Sequence, residues 1–163
     1  MEKTVKYTKD LGDTAVKMAF DRQKFECFEA LFSLLEPGAR IAFLMRMRDP
    51  RSLDTPLHMA ADMNLVGFVS CLANAANPDS RLVFLRERGK SGDTALHRAS
   101  SGSRPDVIKT ILMSVDQSSR ISLLTAVNDL ENTPIGIAIH KDHMDSLLCM
   151  LQLLSDVCKY GLE

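Results

Sequence analysis

The chain has 163 residues, of which 45% are apolar and 25% charged, and its formal net charge is −1. This composition is typical of one globular domain, and a net charge near zero gives no global field for binding nucleic acid or a membrane surface. Residues 1–10 have scattered charges without an apolar core, and no run of 18 apolar residues is present, so we expect neither a secretory signal nor a transmembrane helix. The cysteines, Cys27, Cys71, Cys149 and Cys158, form no C-x-x-C pair, which favours reduced thiols in a cytoplasmic protein.

A seven-residue motif recurs along the chain at nearly constant spacing. Residues 54–60 read Asp-Thr-Pro-Leu-His-Met-Ala, residues 93–99 read Asp-Thr-Ala-Leu-His-Arg-Ala, and residues 132–138 read Asn-Thr-Pro-Ile-Gly-Ile-Ala. A more degraded copy, Asp-Thr-Ala-Val-Lys-Met-Ala, occupies residues 13–19. The four threonines are separated by 41, 39 and 39 residues. A fixed period in this range is typical of stacked supersecondary units.

The motif has the composition of a helix start, and a second helix follows it in each unit. A threonine is a good N-cap, and proline is favoured at the first helical position. We expect the aliphatic residue two positions after each cap, Leu57, Leu96 and Ile135 in the last three copies, to be in the core. Apolar pairs four residues apart then predict the second helix of each unit. These pairs are Cys27/Phe28 and Leu31/Phe32, Phe68/Val69 and Leu72/Ala73, Val107/Ile108 and Ile111/Leu112, and Leu147 with Met150/Leu151.

Polar residues connect the two predicted helices of each unit. Asn64 adopts a positive φ easily, but Gln23, Ser103 and Asp142 do so less readily. We therefore expect the turns at these three residues to differ in shape from the turn at Asn64.

A third element precedes each of the last three motifs. It reads Arg-apolar-x-apolar-Leu at residues 40–44, 81–85 and 120–124, and each copy follows a helix-breaking pair. The pattern predicts a short added helical turn or a lengthened second helix, with a β-strand as the alternative.

The Thr-Pro-Leu-His-x-Ala stretch at residues 55–60 resembles the ankyrin-repeat signature. The resemblance extends over residues 11–155 and implies an all-α ankyrin-repeat solenoid of about four helix-turn-helix units in a single domain, residues 1–163. It implies repeats at residues 11–39, 40–79, 80–118 and 119–155, with 156–163 as a frayed tail. It also implies short hairpin or loop fingers at Met45–Leu53, Arg86–Gly92 and Thr125–Glu131. In the family, a histidine at the position of His58 and His97 ties the helix start to the neighbouring loop.

Catalytic and metal sites find little support in the sequence. His140 and His143 share a helix face only if the helix continues through Asp142, which the repeat register contradicts. Cys27 and Cys71 fall near the buried face of second helices, whereas a reactive thiol needs exposure and a lowered pKa. We therefore predict no catalytic residue, no cofactor and no metal ion.

Basic residues concentrate in the first two fingers, which hold Arg46, Arg48 and Arg51, and Arg86, Arg88 and Lys90. One interpretation is an ordinary solvated surface, and the other is a dock for an acidic segment of a partner protein. Nucleic acid is disfavoured because no aromatic residues interleave with the basic ones. By the resemblance, Met59, Met63 and Arg98 line the concave groove, where methionine adapts its shape and arginine anchors interfaces. Packing against neighbouring side chains is the alternative role of the two methionines.

The resemblance implies a non-enzymatic protein–protein interaction module, an adaptor or scaffold in the cytoplasm. The alternative is an effector or inhibitor from an intracellular bacterium or a virus that acts on a regulatory protein in the host cytoplasm or nucleus. The last repeat is apolar on several sides, whereas a terminal repeat needs a polar outer face. We therefore expect the chain to be part of a longer array or to pair at its C-terminal end. The oligomeric state and the partner stay open.

Overall fold

The computed structural model describes Gly12 and residues 14–160, with residues 156–160 described through their backbone alone. Asp13 of the first motif and the end of the predicted tail lie outside these residues. The described part of the chain is helical and contains no β-strand. Its helices group into two compact units, Met1–Met47 and Arg48–Glu163, which we describe in turn.

The first unit contains three helices around a row of phenylalanines. They are α1 (residues 14–21), α2 (Phe25–Ser33) and α3 (Pro37–Arg46). The Phe28 ring centroid lies 5.7 Å from that of Phe20 and 5.1 Å from that of Phe32, and Phe32 lies 6.4 Å from Phe43. Phe28 is fully buried, whereas Cys27 beside it is exposed. Aromatic packing therefore forms the core of this unit.

The described residues of the second unit form eight α-helices in three rows, and a short 3-10 helix, Lys90–Gly92, lies between α6 and α7. The first row holds α4 (Pro56–Asp62), α7 (Ala95–Ser101) and α10 (Pro134–His140). The second row holds α5 (Val66–Ala73), α8 (Pro105–Met113) and α11 (Met144–Tyr160). The third row holds α6 (Pro78–Leu85) and α9 (Gln117–Leu124). Successive helices within each row contact one another, so this unit is a stack of repeats, as the sequence period predicts.

The core of the second unit runs between the first and second rows. Leu57 and Leu96 are each 1% exposed, and all eight apolar positions predicted for α5 and α8 are buried. Ile135 is only half-buried, and Leu151 is 45% exposed. The prediction that Ile135 is a core residue is therefore wrong, because α10 has a first-row neighbour on only one side among the described residues.

The added element of each repeat is a complete third helix rather than a single turn. Proline occupies the start of α3 and α6, and the Asp116 carboxylate caps α9 by accepting a hydrogen bond from the Ser119 N–H at 2.7 Å. The arginine of the motif donates to carbonyls at or just beyond the end of the preceding second helix. These bonds are Arg40 Nε to Leu35 O (3.2 Å), Arg81 Nη2 to Ala76 O (3.2 Å) and Arg120 Nε to Leu112 O (2.8 Å). The repeated arginine thus satisfies carbonyls that a helix end leaves unpaired.

The four turns between first and second helices have one shape. Gln23, Asn64, Ser103 and Asp142 have φ values of 54°, 57°, 52° and 57°. The prediction that three of these turns differ from the one at Asn64 is therefore wrong. Tertiary packing of the two helices requires a left-handed residue there, and it overrides the local preference of glutamine, serine and aspartate.

The last helix is longer than the sequence predicts. α11 is helical to Tyr160, five residues beyond the predicted end of the repeat. Residues 144–160 contain neither glycine nor proline, so nothing in the backbone chemistry stops the helix at Ser155. Of the described helices, none combines the length and the hydropathy needed to cross a bilayer.

Candidate protein-binding surface

Two buried histidines fix the starts of α4 and α7. The His58 Nδ1 atom accepts a hydrogen bond from the Thr55 N–H (3.1 Å) and lies 2.8 Å from Thr55 Oγ1. Since Nδ1 accepts, the ring proton is on Nε2, which lies 3.0 Å from the Asp93 carbonyl oxygen in the next repeat. His97 makes the same contacts to Thr94 and to the Asn132 carbonyl. The expected tie between each helix start and the neighbouring loop is confirmed.

Both histidines are held neutral. Burial lowers the pKa of His58 and of His97, and the hydrogen bonds to the carbonyls of Asp93 and Asn132 only partly oppose this effect. A neutral ring is what the geometry requires, because the imidazolium form has no lone pair on Nδ1 to accept the threonine N–H. These side chains are therefore structural and are not available for acid–base chemistry.

The loops that follow the third helices are closed turns rather than β-hairpins. We call residues 48–55 loop A, residues 86–94 loop B and residues 125–133 loop C. One backbone hydrogen bond closes each loop, from Asp49 N to Asp54 O (2.9 Å), from Gly89 N to Asp93 O (2.8 Å) and from Asn128 N to Asn132 O (3.0 Å). The first loop also begins later than predicted, because Met45 and Arg46 are still within α3.

Neighbouring loops are bonded to one another. The Lys90 N–H donates to the Asp54 carboxylate (3.0 Å), and the Asp129 N–H donates to the Ser91 carbonyl (3.0 Å). A Cβ atom on Gly89 would overlap the Asp54 carboxylate, and Gly92 has a φ of +70°. Both positions therefore require glycine for the loops to approach this closely.

Arginine side chains join the same loops in pairs. Arg48 Nη2 lies 2.7 Å from Glu87 Oε2, and Arg88 Nη2 lies 2.8 Å from Asp129 Oδ1. Arg48 and Arg88, two of the predicted partner-binding arginines, are thus already paired with carboxylates of an adjacent loop. Together, loops A, B and C hold five Lys and Arg against six Asp and Glu. The basic residues predicted to form a binding surface on the first two fingers therefore do not make that surface continuously positive. Positive charge remains locally, at cations that are not paired with a carboxylate.

Arg98 is the centre of an ion cluster. Its guanidinium lies 3.1 Å from Asp54, 3.1 Å from Asp62 and 3.4 Å from Asp93, and the side chain is only 18% exposed. Burial raises the pKa of Asp62, although Arg98 opposes the shift. Arg98 thus holds loops A and B against α4 and α7. The sequence does not predict this role, because the three aspartates that Arg98 contacts lie in other parts of the chain.

The other predicted contact residues are dispersed. Arg46 lies in the first unit, with its guanidinium 5.7 Å from the Phe43 ring centroid. Arg51 and Lys90 are exposed on loops A and B. Met59 is half-buried, and Met63 is 43% exposed.

A groove of about 240 Å³ lies between loop C and the first-row helices α7 and α10. Its floor includes Ile137, and Leu130 at the tip of loop C is 74% exposed beside it. Asn128 fixes this loop, because its side-chain oxygen accepts from the N–H groups of Leu130 and Asn132 (both 3.0 Å). The remaining lining residues are Asp93, Ser101, Asn128, Asn132, His140 and Lys141. Leu130 could not be predicted from the sequence, because a single apolar residue in a polar loop belongs to no periodic pattern.

Residues 52–81 match the family model described as ankyrin repeat. The match covers one repeat, and the described helices have the arrangement of an ankyrin-repeat fold. No curated protein matches it significantly in sequence.

Three solved structures are similar to this chain in fold. A chain in the crystal structure of the yeast ribosomal protein Rps3 in complex with its chaperone Yar1 is 22% identical, with a TM-score of 0.66, and the match covers 94% of this chain and 95% of that one. The ankyrin repeat domain of Bcl-3, a member of the IkappaB protein family, is 22% identical with a TM-score of 0.64, and the match covers 85% of this chain and 55% of that one. The ankyrin repeat protein EF0377 is 14% identical with a TM-score of 0.65, and the match covers 86% of this chain and 61% of that one. The present chain thus spans less than two thirds of the Bcl-3 and EF0377 chains, and likeness at these identities shows the fold alone.

Proposed function

We propose that this chain is a non-enzymatic protein-binding module that docks a partner in the groove between loop C, α7 and α10. The groove carries the proposal, because it combines an exposed apolar side chain, Leu130, and a half-buried one, Ile137, with polar groups at its edge. Apolar anchors within a polar rim are the usual make-up of a protein interface. The family likeness agrees with this function, since ankyrin repeats are typically interaction modules, and the structure with Rps3 and Yar1 is itself a protein complex.

The groove is preorganised for binding. Asn128 holds the backbone of loop C, and its Nδ2 atom donates to Asp93 Oδ1 at 2.8 Å in the preceding loop. Lys141 Nζ lies 2.6 Å from Ser101 Oγ across α7 and α10. A surface fixed by such contacts loses little conformational entropy when a partner binds.

We further propose that exposed cations of loops A and B favour a partner with an acidic segment. Arg51 and Lys90 are exposed, and Arg86 is exposed at the end of α6. Arg88 and Arg98 then act mainly by holding the loops in place, because each is bound to carboxylates of the chain itself.

Site-specific photo-cross-linking tests the groove. A benzophenone amino acid replaces Leu130 in one variant and Met113 in the other, which is 58% exposed on the second-row helix α8. Both variants are expressed in the cells that make the protein, and adducts are identified by mass spectrometry. We expect a covalent adduct with a protein from position 130 and none of the same mass from position 113. The absence of an adduct at 130, or equal adducts at both positions, would overturn the proposal.

A further inference from the structure

The third-row helix α6 creates a surface that a unit of two helices lacks. A shallow depression of about 550 Å³ lies beside α6, at the junction of loops A and B. It is lined by Arg48, Val83, Arg86, Glu87 and Arg88.

The depression has an excess of positive charge. Three arginines face one carboxylate, Glu87, which already binds Arg48 at 2.7 Å. Arg88 is paired with Asp129 of loop C. The Arg86 side chain donates one hydrogen bond among the described residues, from Nη1 to Ser122 Oγ at 3.1 Å. A guanidinium has five N–H donors, so Arg86 retains donors for an incoming carboxylate.

Arg48 also retains an unused donor. Its Nε atom is buried and has no hydrogen-bond partner among the described residues. A buried donor without a partner is costly. Because this atom has no exposed surface, Arg48 contributes positive charge to the depression, and the donors open to a bound carboxylate include those of Arg86.

The apolar part of the depression is Val83. This side chain is 66% exposed, although the next residues of α6, Phe84 and Leu85, are buried. The same position of the motif is Ala42 in the preceding repeat and Ser122 in the following one. Among the three copies of the motif, a large aliphatic side chain therefore occurs at this register only in α6.

We propose that this depression binds a short peptide segment in which an aliphatic side chain is flanked by carboxylates, with the aliphatic group on Val83 and the carboxylates on Arg86 and Arg48. The proposal rests on the proposed protein-binding function and names the chemistry of one partner segment. The depression has no aromatic side chain for stacking a base, and its exposed aliphatic side chain, Val83, matches an apolar residue of a peptide, which favours an acidic peptide over a nucleic acid.

Peptide selection tests the partner chemistry. A random phage-displayed library of peptides about 12 residues long, enough for an extended segment to cross the depression, is selected on the full chain. The affinities of the selected peptides are then measured by fluorescence anisotropy against four variants, Arg86→Glu, Val83→Ser, the groove variant Leu130→Ser and the control Lys109→Glu. Lys109 is exposed on α8 and gives the same charge change as Arg86→Glu. Urea-unfolding midpoints establish that each variant is folded, and Arg86→Gln replaces any Arg86→Glu protein that is not.

The proposal requires selected peptides that carry Asp or Glu next to Val, Leu or Ile. Their Kd should rise about tenfold or more in Arg86→Glu and about threefold or more in Val83→Ser, because both side chains would anchor the peptide. The Kd should change by less than about twofold in Lys109→Glu, because Lys109 lies on α8, away from the depression. Peptides without acidic residues, peptides indifferent to Arg86→Glu, or no selected peptides would overturn it. Tighter binding of a labelled single-stranded DNA that is lost in Arg86→Glu would also overturn it. Peptides that lose affinity in Leu130→Ser alone would leave the proposed function standing and refute only this inference.

Discussion

The third and fourth repeats contain equivalent first and second helices but differ in what covers them. Ser100 at the end of α7 is fully buried, whereas Ile139, its equivalent in α10, is 61% exposed. Leu112 of α8 is fully buried, and its equivalent Leu151 in α11 is 45% exposed. The more apolar residue of the first pair is thus the more exposed one. Burial in this stack is decided by the neighbouring repeat and not by the residue's own hydrophobicity.

Truncating the equivalent aliphatic residues of α7 and α10 should give the largest difference. Leu96→Ala is expected to cost about 2–5 kcal/mol, because Leu96 is buried and leaves a cavity. Ile135→Ala should cost about half as much, because its side chain is only half-buried. Urea unfolding followed by circular dichroism measures both. Equal costs would mean that α10 is covered as completely as α7, and a cost below about 0.5 kcal/mol at Leu96 would refute the repeat register.

Removing the buried histidine of the third repeat should have the next largest effect. His97→Gln is expected to cost about 1–3 kcal/mol, since the Thr94 cap and the Asn132 carbonyl both lose their partner. The fourth repeat has Gly136 at this position and offers no such tie. His140→Gln, at an exposed histidine, is the matched control and should have an effect within about 0.5 kcal/mol.

The same histidines predict how stability depends on pH. Burial lowers the folded-state pKa of His58 and His97 below the ordinary value of 6.5, so the unfolded chain binds more protons just below that pH. Their contribution to stability is therefore complete above pH 6.5 and decreases as the pH falls through 6.5 towards the folded pKa. The raised pKa of Asp62 acts in the opposite direction at lower pH. Between about pH 7.5 and pH 5.5, His97→Gln should lose less stability than the unaltered protein. Parallel losses in the two proteins would contradict the assignment of a neutral His97.

Substitutions in the turns should change the free energy of unfolding least. They should also change it equally in the third and fourth repeats, unlike the substitutions above. Ser103 and Asp142 have φ values of 52° and 57°, so Ser103→Gly and Asp142→Gly should each stabilise by about 0.5–1 kcal/mol. The backbone is the same in both repeats, and the two gains should therefore be similar. Lys109→Gly within α8 is the control and should destabilise by about 0.5–1 kcal/mol. A loss of stability at both turns would show that serine and aspartate make contacts there that outweigh the strain.

Much of the fold could be predicted from local sequence, but the binding surface could not. The Thr-x-Leu-His pattern predicted the start of α7, because capping depends on residues within one turn. Arg48 and Arg88 are paired with Glu87 and Asp129, which lie 39 and 41 residues away along the chain. The charges within one loop therefore predicted a basic surface, whereas pairing between loops neutralises most of that charge.

The sequence alone determined the repeat, the two helices of each unit and the threonine caps of α4, α7 and α10, because these follow from short-range spacing and hydrogen bonding. Only the tertiary structure decided that the added Arg-apolar element is a separate helix and that the four turns share a left-handed residue. It alone also decided which arginines are paired and which positions of the last repeat are uncovered. The physical reason is distance along the chain, since burial and ion pairing join residues about one repeat apart and no local pattern specifies which groups will meet.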